Sequence, residues 1–325
     1  MTKAIRLHET GGPEVLRWED TDVGDPGPGE ARVRHTAVGL NYIDCYFRAG
    51  TYPPPHLPLT LGFEGAGVVE AVGDGVSEVK IGDRVGYATG AIGAYAQARL
   101  AAADKLIPLP DDISDEQAAA MLLQGMTAQY LLHRTFRVEP GQTILFHAAA
   151  GGVGLIACQW AKHFGATVIG TVSSADKAAL AHAHGCDHPI NYREENFVER
   201  VKEITAGAGV PVVYDSVGKD TFMNSLDCLR PRGLMALFGA ASGPVPPVDL
   251  GVLAQRGSLY ITRPSLFTYT ASRQELLDTA DSLFAVVRSG AVKIEVNQTY
   301  PLAEAASAHT DLQARRTTGS TVLMP

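Results

Sequence analysis

The chain has no C-x-x-C pair, no basic tract and no apolar run that approaches the length of a membrane span. Its four cysteines, Cys45, Cys158, Cys186 and Cys228, are scattered, which argues against both a disulfide framework and a zinc ribbon. Lys and Arg number 27 against 35 Asp and Glu, a formal net charge of −8, so the cationic excess that non-specific nucleic-acid binding needs is missing. The opening Met1-Thr2-Lys3-Ala4-Ile5-Arg6 lacks the long apolar core of a signal peptide. The expectation is a cytoplasmic protein with neither a nucleic-acid nor a membrane partner. What is present is glycine, 34 residues of it in a chain of 325 that is 46% hydrophobic. That length suits two domains with separate cores, and that composition suits a turn-rich α/β protein.

Up to about residue 110, short apolar segments alternate with Gly and Pro turns. Arg32–Val38, Gly65–Gly73 and Gly82–Tyr87 read as strands and turns of a mostly β domain, in the manner of a partly closed barrel. Ser114-Asp115-Glu116-Gln117 then offers an N-cap and capping box for a helix over Ala118–Leu123, with a second helix after Gly125 from about Met126 to Phe136. From Pro140 strands and helices alternate: strands over 144–146, 167–172, 189–192, 210–215, 233–239 and 258–262, and helices over 155–162, 175–184, 196–205 and 221–228. Such alternation predicts a doubly wound parallel sheet. A last amphipathic helix spans 275–289, and 291–325 returns to short strands with a helix near Leu302–Gln313.

The chemistry centres on Ile144-Leu145-Phe146-His147-Ala148-Ala149-Ala150-Gly151-Gly152-Val153-Gly154. A buried strand, a tight small-residue turn and a helix bring free backbone N–H groups and the positive helix end to one point, which is a phosphate site. It is a variant of G-x-G-x-x-G with Ala149 at the first glycine. A ribose 2′-hydroxyl is usually held by a carboxylate at the end of the second strand, about 20 residues on. Here that strand ends Thr171-Val172-Ser173-Ser174, with no carboxylate before Asp176 and with Lys177 one turn into the next helix. Small hydroxyls and a nearby cation favour NADP over NAD; the alternative is that the serines only cap the helix and Lys177 is solvated.

His182, His184, Cys186 and His188 look like a metal cluster, but residues two apart on a helix diverge, and no tetrahedral site is expected. His147 reads as a packing residue, and Asp44 and Glu64, on pattern alone, as solvated loop charges.

Gly141-Gln142-x-x-Leu145-x-x-x-Ala149-Ala150-Gly151-Gly152-x-Gly154-x-x-x-x-Gln159-x-x-Lys162 resembles the quinone oxidoreductase signature of the medium-chain dehydrogenase/reductase superfamily. Leu61-Gly62-Phe63-Glu64-Gly65-Ala66-Gly67-Val68-Val69 and Lys80-Ile81-Gly82-Asp83-Arg84-Val85 resemble its GroES-like catalytic domain, and the likeness runs on to Arg315-Arg316-Thr317-Thr318-Gly319. The chain is similar to the bacterial NADPH:quinone oxidoreductases related to ζ-crystallin. In zinc alcohol dehydrogenases a cysteine stands at the position of Asn41 and a histidine at that of Phe63, so the resemblance implies a reductase without zinc.

The resemblance also implies an architecture and a site. Residues 1–123 with 267–325 would form the GroES-like catalytic domain, and 124–266 the Rossmann NADPH-binding domain. Gly151, Gly152 and Val153 would take the pyrophosphate, and Ser173, Lys177 and Tyr192 the 2′-phosphate, although Ser173 stands where some relatives have glycine. Asn41, Thr127 and Tyr130 would border the nicotinamide ribose, with Tyr46, Val217, Phe238, Gly239, Arg263, Pro264, Ser265 and Arg315 completing the cofactor cleft. Tyr46 and Tyr52 would line the acceptor pocket, unless they are simply core aromatics. Asn41, Asp44, Tyr46 and Tyr52 are the catalytic candidates, and the implied reaction is hydride transfer from NADPH to a quinone or other flat electrophile in the interdomain cleft. An alkenal or enone reductase on the same scaffold is the second reading, and a non-catalytic NADPH-binding structural or RNA-associated protein the third. The family further implies a homodimer, with the strand at Leu259–Thr262 on the sheet edge.

Overall fold

The computed structural model describes residues 2–325. Strands Thr2–Leu7 (β1), Leu16–Thr21 (β2) and Glu30–Leu40 (β3) lead into a helix, Tyr42–Ala49 (α1). Strands Leu59–Thr60 (β4), Glu64–Val72 (β5), Arg84–Tyr87 (β6), Ala98–Ala102 (β7) and Ile107–Pro108 (β8) precede the helix Asp115–Tyr130 (α2). Alternation then begins with Thr143–Phe146 (β9), Gly152–His163 (α3), Thr167–Val172 (β10), Ala175–Ala183 (α4), His188–Asn191 (β11) and Phe197–Ile204 (α5). It continues through Val210–Asp215 (β12), Phe222–Leu226 (α6), Leu229–Leu237 (β13), Gly251–Gln255 (α7), Tyr260–Thr262 (β14) and Leu266–Tyr269 (α8). Arg273–Arg288 (α9), Val296–Pro301 (β15), Ala305–Gln313 (α10) and Ser320–Met324 (β16) come last.

The contacts divide the chain into two compact units, one of Met1–Met126, Thr270–Asp281 and Ile294–Pro325, the other of Thr127–Tyr269 and Ser282–Lys293. In the second unit six parallel strands lie in the order β11-β10-β9-β12-β13-β14. This is the doubly wound sheet the alternation predicts, and its order reverses between β9 and β12, where such sheets bind their ligands. Strand β12 is buried along its whole length, as an apolar run in the middle of a covered parallel sheet should be.

The first unit holds a larger sheet, β15-β16-β3-β5-β6-β8 with β7 also on β3, and a small one, β2-β1-β4. Two irregularities in the β3–β5 register, at Arg32/Val33 and His35/Ala37, let β3 change partners. Its first half pairs with β7 and its last residues with β16. The core here is Ile5, Leu7, Val33, Val38, Leu61, Val69, Val85 and Tyr95, all excluded from solvent.

Two local readings are corrected. The segment after Asn41, where pattern alone reads Asp44 as a loop charge, is the helix α1. The two helices expected on either side of Gly125 are one, α2, which then widens into a π-helical turn over Leu131–Thr135. Gly125 sits buried among buried neighbours, and packing outweighs its helix penalty of about 1 kcal/mol. The Ser114 capping box forms in both directions, Gln117 N–H to Ser114 Oγ and Ser114 N–H to Gln117 Oε1, each 3.2 Å. Among the described residues no helix is long and apolar enough to cross a membrane.

Candidate functional site

At the switch point of the parallel sheet, the turn after β9 is tightly determined. Ala148 is left-handed at φ 55°, and its carbonyl accepts from Gly151 N–H at 2.9 Å. A Cβ on Gly154 would lie 2.3 Å from the Ala148 oxygen and 2.7 Å from that of Ala149, so only glycine lets α3 sit this close to the turn. Gly151 caps α3 without a side-chain bond, and no acidic residue occupies the first turn. The result is an uncovered, positive helix end facing bare backbone, a cradle suited to a pyrophosphate.

The β10 and β11 ends bring together the residues assigned to the ribose phosphate. Val172 pairs with Asn191, and Tyr192 N–H donates to Val172 O at 3.1 Å, which sets Tyr192 beside Ser173. Ser174, not Ser173, caps α4, accepting from Lys177 N–H at 3.3 Å. Ser173 is left half-buried beside the first turn, where Lys177 stands.

The ends of β12, β13 and β14 gather the next group. Asp215 Oδ1 accepts from Val217 N–H at 2.7 Å and Gly218 N–H at 3.0 Å, and its main-chain oxygen from Phe238 N–H at 2.8 Å and Gly239 N–H at 3.3 Å. Arg263 donates to Leu237 O at 2.8 Å and Gly239 O at 3.1 Å, with Pro264 and Ser265 following into α8. Thr127 and Tyr130 are buried on α2, and the Tyr130 ring stacks on Tyr269 at 4.5 Å.

Beneath the glycine turn lies a buried polar line that the sequence reading missed. His147 Nδ1 is 2.9 Å from Thr171 Oγ1, and Nε2 is 2.9 Å from Ser225 Oγ. Ser225 Oγ donates to Asp215 Oδ2 at 3.0 Å, and Thr171 Oγ1 accepts from Ala148 N–H at 3.3 Å. Burial lowers the His147 pKa, with Asp215 pulling the other way. His147 is therefore no mere packing residue.

In the first unit Asn41 caps α1 and is buried together with Asp44 and Glu64. Both acids overturn the solvated-loop reading. Glu64 Oε2 accepts from Asn41 Nδ2 at 2.6 Å and Oε1 from Leu123 N–H at 2.8 Å, while Asn41 Oδ1 accepts from Gln124 Nε2 at 3.2 Å. Space for this carboxyl comes from Gly39, where a Cβ would stand 2.3 Å from Glu64 Oε2. Asp44 Oδ2 takes Asn41 N–H at 2.9 Å and Tyr95 O–H at 3.0 Å, whereas Oδ1 is buried with no partner.

Behind Tyr95 the line continues to His309 Nε2 at 3.0 Å, and His309 Nδ1 accepts from Arg48 at 3.2 Å. Burial pushes Asp44 up to about 7 and Glu64 up to about 8, in each case against the hydrogen bonds that favour the anion. Tyr46 and Tyr52 are half-buried with ring centroids 5.0 Å apart, in a cluster with Tyr42, Phe47 and Phe63. Arg315 is exposed and left-handed at φ 60°. The structure thus joins Asn41 to Asp44 and Tyr46 to Tyr52.

Two stretches match family models, residues 27–111 the alcohol dehydrogenase GroES-like domain and residues 152–282 the zinc-binding dehydrogenase domain. Over all of both chains the sequence is 58% identical to a quinone oxidoreductase of Pseudomonas aeruginosa. The chain belongs to the quinone oxidoreductase family. A crystal structure of Escherichia coli quinone oxidoreductase complexed with NADPH superposes with a TM-score of 0.98 at 53% identity, covering 99% of this chain and 100% of that one. A 2-haloacrylate reductase of a Burkholderia species is 50% identical over 100% of this chain and 99% of its own.

The zinc that the dehydrogenase domain's description implies does not fit this member of the family. Asn41 spends its amide on Glu64 and Gln124, and Phe63 packs its ring 5.4 Å from Phe47. Among the described residues no group of three or more His, Cys, Asp or Glu is placed to hold a metal. At the other cluster considered, His182 Nδ1 lies 3.1 Å from Cys186 O and His184 Nδ1 2.8 Å from Leu180 O.

Proposed function

We infer that the chain is an NADPH-dependent quinone oxidoreductase. The observation that carries this is the near-complete structural match to a quinone oxidoreductase complexed with NADPH, and the bare, glycine-lined start of α3 at Gly151, Gly152 and Gly154 supports it. In this reading residues 124–266 carry the cofactor, and 1–123 with 267–325 carry the acceptor. Gly151, Gly152 and Val153 receive the pyrophosphate on backbone N–H groups. Ser173, Lys177 and Tyr192 read the 2′-phosphate by hydroxyl bonds and charge. Thr127, Tyr130, Val217, Phe238, Gly239, Arg263, Pro264, Ser265 and Arg315 enclose the remainder, with Asn41 and Tyr46 at the nicotinamide end. When bound, NADPH supplies a hydride. Tyr46 and Tyr52 give a flat acceptor an aromatic wall, and Asn41 and Asp44 are the polar groups available to its oxygens.

The 2-haloacrylate reductase relative favours a second reading, reduction of an activated alkene, which differs in needing a proton delivered to carbon. NADPH oxidation measured with 9,10-phenanthrenequinone, 1,4-benzoquinone and 3-buten-2-one separates the two. Quinone turnover well above that of the enone is expected, and rapid enone turnover with no quinone turnover would sink the first reading. The protein works in the cytoplasm as a homodimer in this account, joined along β14, one of the two edges of the parallel sheet, where Tyr260 is 62% exposed.

A further inference from the structure

The glycine turn has a cost built into it. Ala148 holds a left-handed backbone without being glycine, a strained conformation that persists only where its surroundings fix it. They do so through one strand end. Thr171, next to last in β10, receives Ala148 N–H on Oγ1 at 3.3 Å and Ala149 N–H on its main-chain oxygen at 3.0 Å.

The hydroxyl of Thr171 is itself fixed by His147. Ser225 has one proton, and it goes to Asp215 Oδ2; the Ser225 oxygen must then accept from His147 Nε2–H. In the neutral imidazole that burial favours, His147 Nδ1 is then the acceptor, and the Thr171 O–H donates to it. Every proton along Thr171, His147, Ser225 and Asp215 is thereby assigned in one direction. The far end, Asp215, ties down Val217 and Gly218 through Oδ1 and Thr221 through Oδ2 at 2.7 Å. The buried line runs from Thr171 of β10 through His147, the residue after β9, and Ser225 of α6 to Asp215 at the end of β12, and both its ends meet turns assigned to the cofactor.

We propose that His147 is a positioning residue which, with Thr171, Ser225 and Asp215, sets the Ala148–Gly154 and Ser216–Gly218 turns in their binding geometry before the dinucleotide arrives. Both ends of the line are backbone N–H groups of these turns, Ala148 at one and Val217 with Gly218 at the other. The benefit is preorganisation: the turns lose little freedom on binding because they have little left to lose. The proposal takes its ligand from the NADPH reading above.

The test uses the full chain with Thr171→Val, Thr171→Ser and Ser225→Ala. Fluorescence titration should show NADPH bound about tenfold more weakly by Thr171→Val and by Ser225→Ala, as expected for one lost buried hydrogen bond. Thr171→Ser keeps the hydroxyl and should stay within about threefold of the original. KM for the quinone at saturating NADPH should not move. In the cofactor-free protein, Thr171→Val should exchange the amides of 148–151 faster than the parent, while Thr171→Ser should not. The proposal is overturned if Thr171→Val and Ser225→Ala bind NADPH as the parent does, or if Thr171→Ser loses as much as Thr171→Val. If the parent itself binds no NADPH, the proposed function fails. The exchange comparison still decides the positioning role, and equal rates in Thr171→Val and parent end it. Should Thr171→Val not fold, Ser225→Ala at the other end carries the same comparison at 216–218.

Discussion

Asp44 is a carboxyl fully excluded from solvent, held by Asn41 N–H and Tyr95 O–H. Residues remote in the chain enclose it: Tyr95 lies 51 positions from Asp44, and His309, behind Tyr95, a further 214. The consequence is measurable. A carboxyl with a folded pKa of about 7 against about 4 when unfolded binds more protons in the native state, so its contribution is fully present below about pH 4 and is lost as pH rises through about 7. Glu64, Cys45, Tyr95, Arg48 and His309 lie around it, so the comparison must change Asp44 alone. Asp44→Asn retains an oxygen for Asn41 N–H and Tyr95 O–H and drops the charge. Between about pH 5.5 and about pH 8.5 the parent should lose melting temperature relative to Asp44→Asn. A constant difference would mean that Asp44 does not titrate in this range. Nothing local in the sequence separates Asp44 from a loop charge, whereas the place of Lys177 was readable, because it follows from the end of β10 and one helical turn. Lys177→Ala should raise KM for NADPH by about tenfold or more while leaving NADH nearly unchanged, and equal effects would remove its role in reading the phosphate.

Among the elements, those with strong periodicity or strict punctuation were legible. The order of strands and helices from β9 to β14 follows from alternation alone, because parallel strands need crossover helices. The α1 helix was not legible: eight residues with a tyrosine-rich sequence are too short to announce a period, and the Asn41–Asp44 bond that starts the helix looks like any loop pair. Gly125 misled in the other direction, since punctuation by glycine yields to burial. Where the glycine has no space for a side chain, the element depends on it. Gly154→Ala should cost about 1–3 kcal/mol in denaturant unfolding and abolish measurable NADPH binding, because the new methyl group meets two carbonyl oxygens. Unchanged affinity would show that α3 can move without harm to the cradle.

For the whole molecule, the sequence carried the architecture and the family, whereas the pairing of distant polar residues came only from the fold. Assembly is a property of this scale. The dimer proposed along β14 would have twice the chain's 34.4 kDa by light scattering, and a charged or proline substitution at Tyr260 should shift the mass toward one chain. A single-chain mass for the parent would remove the β14 dimer. The chemistry is tested by 1,4-benzoquinone-dependent oxidation of NADPH and of NADH, background-subtracted, on enzyme dialysed exhaustively against a metal chelator. The account predicts undiminished quinone reduction, with kcat/KM for NADPH at least about tenfold above that for NADH. Loss of turnover on chelation, or no quinone-dependent NADPH oxidation at all, would contradict it.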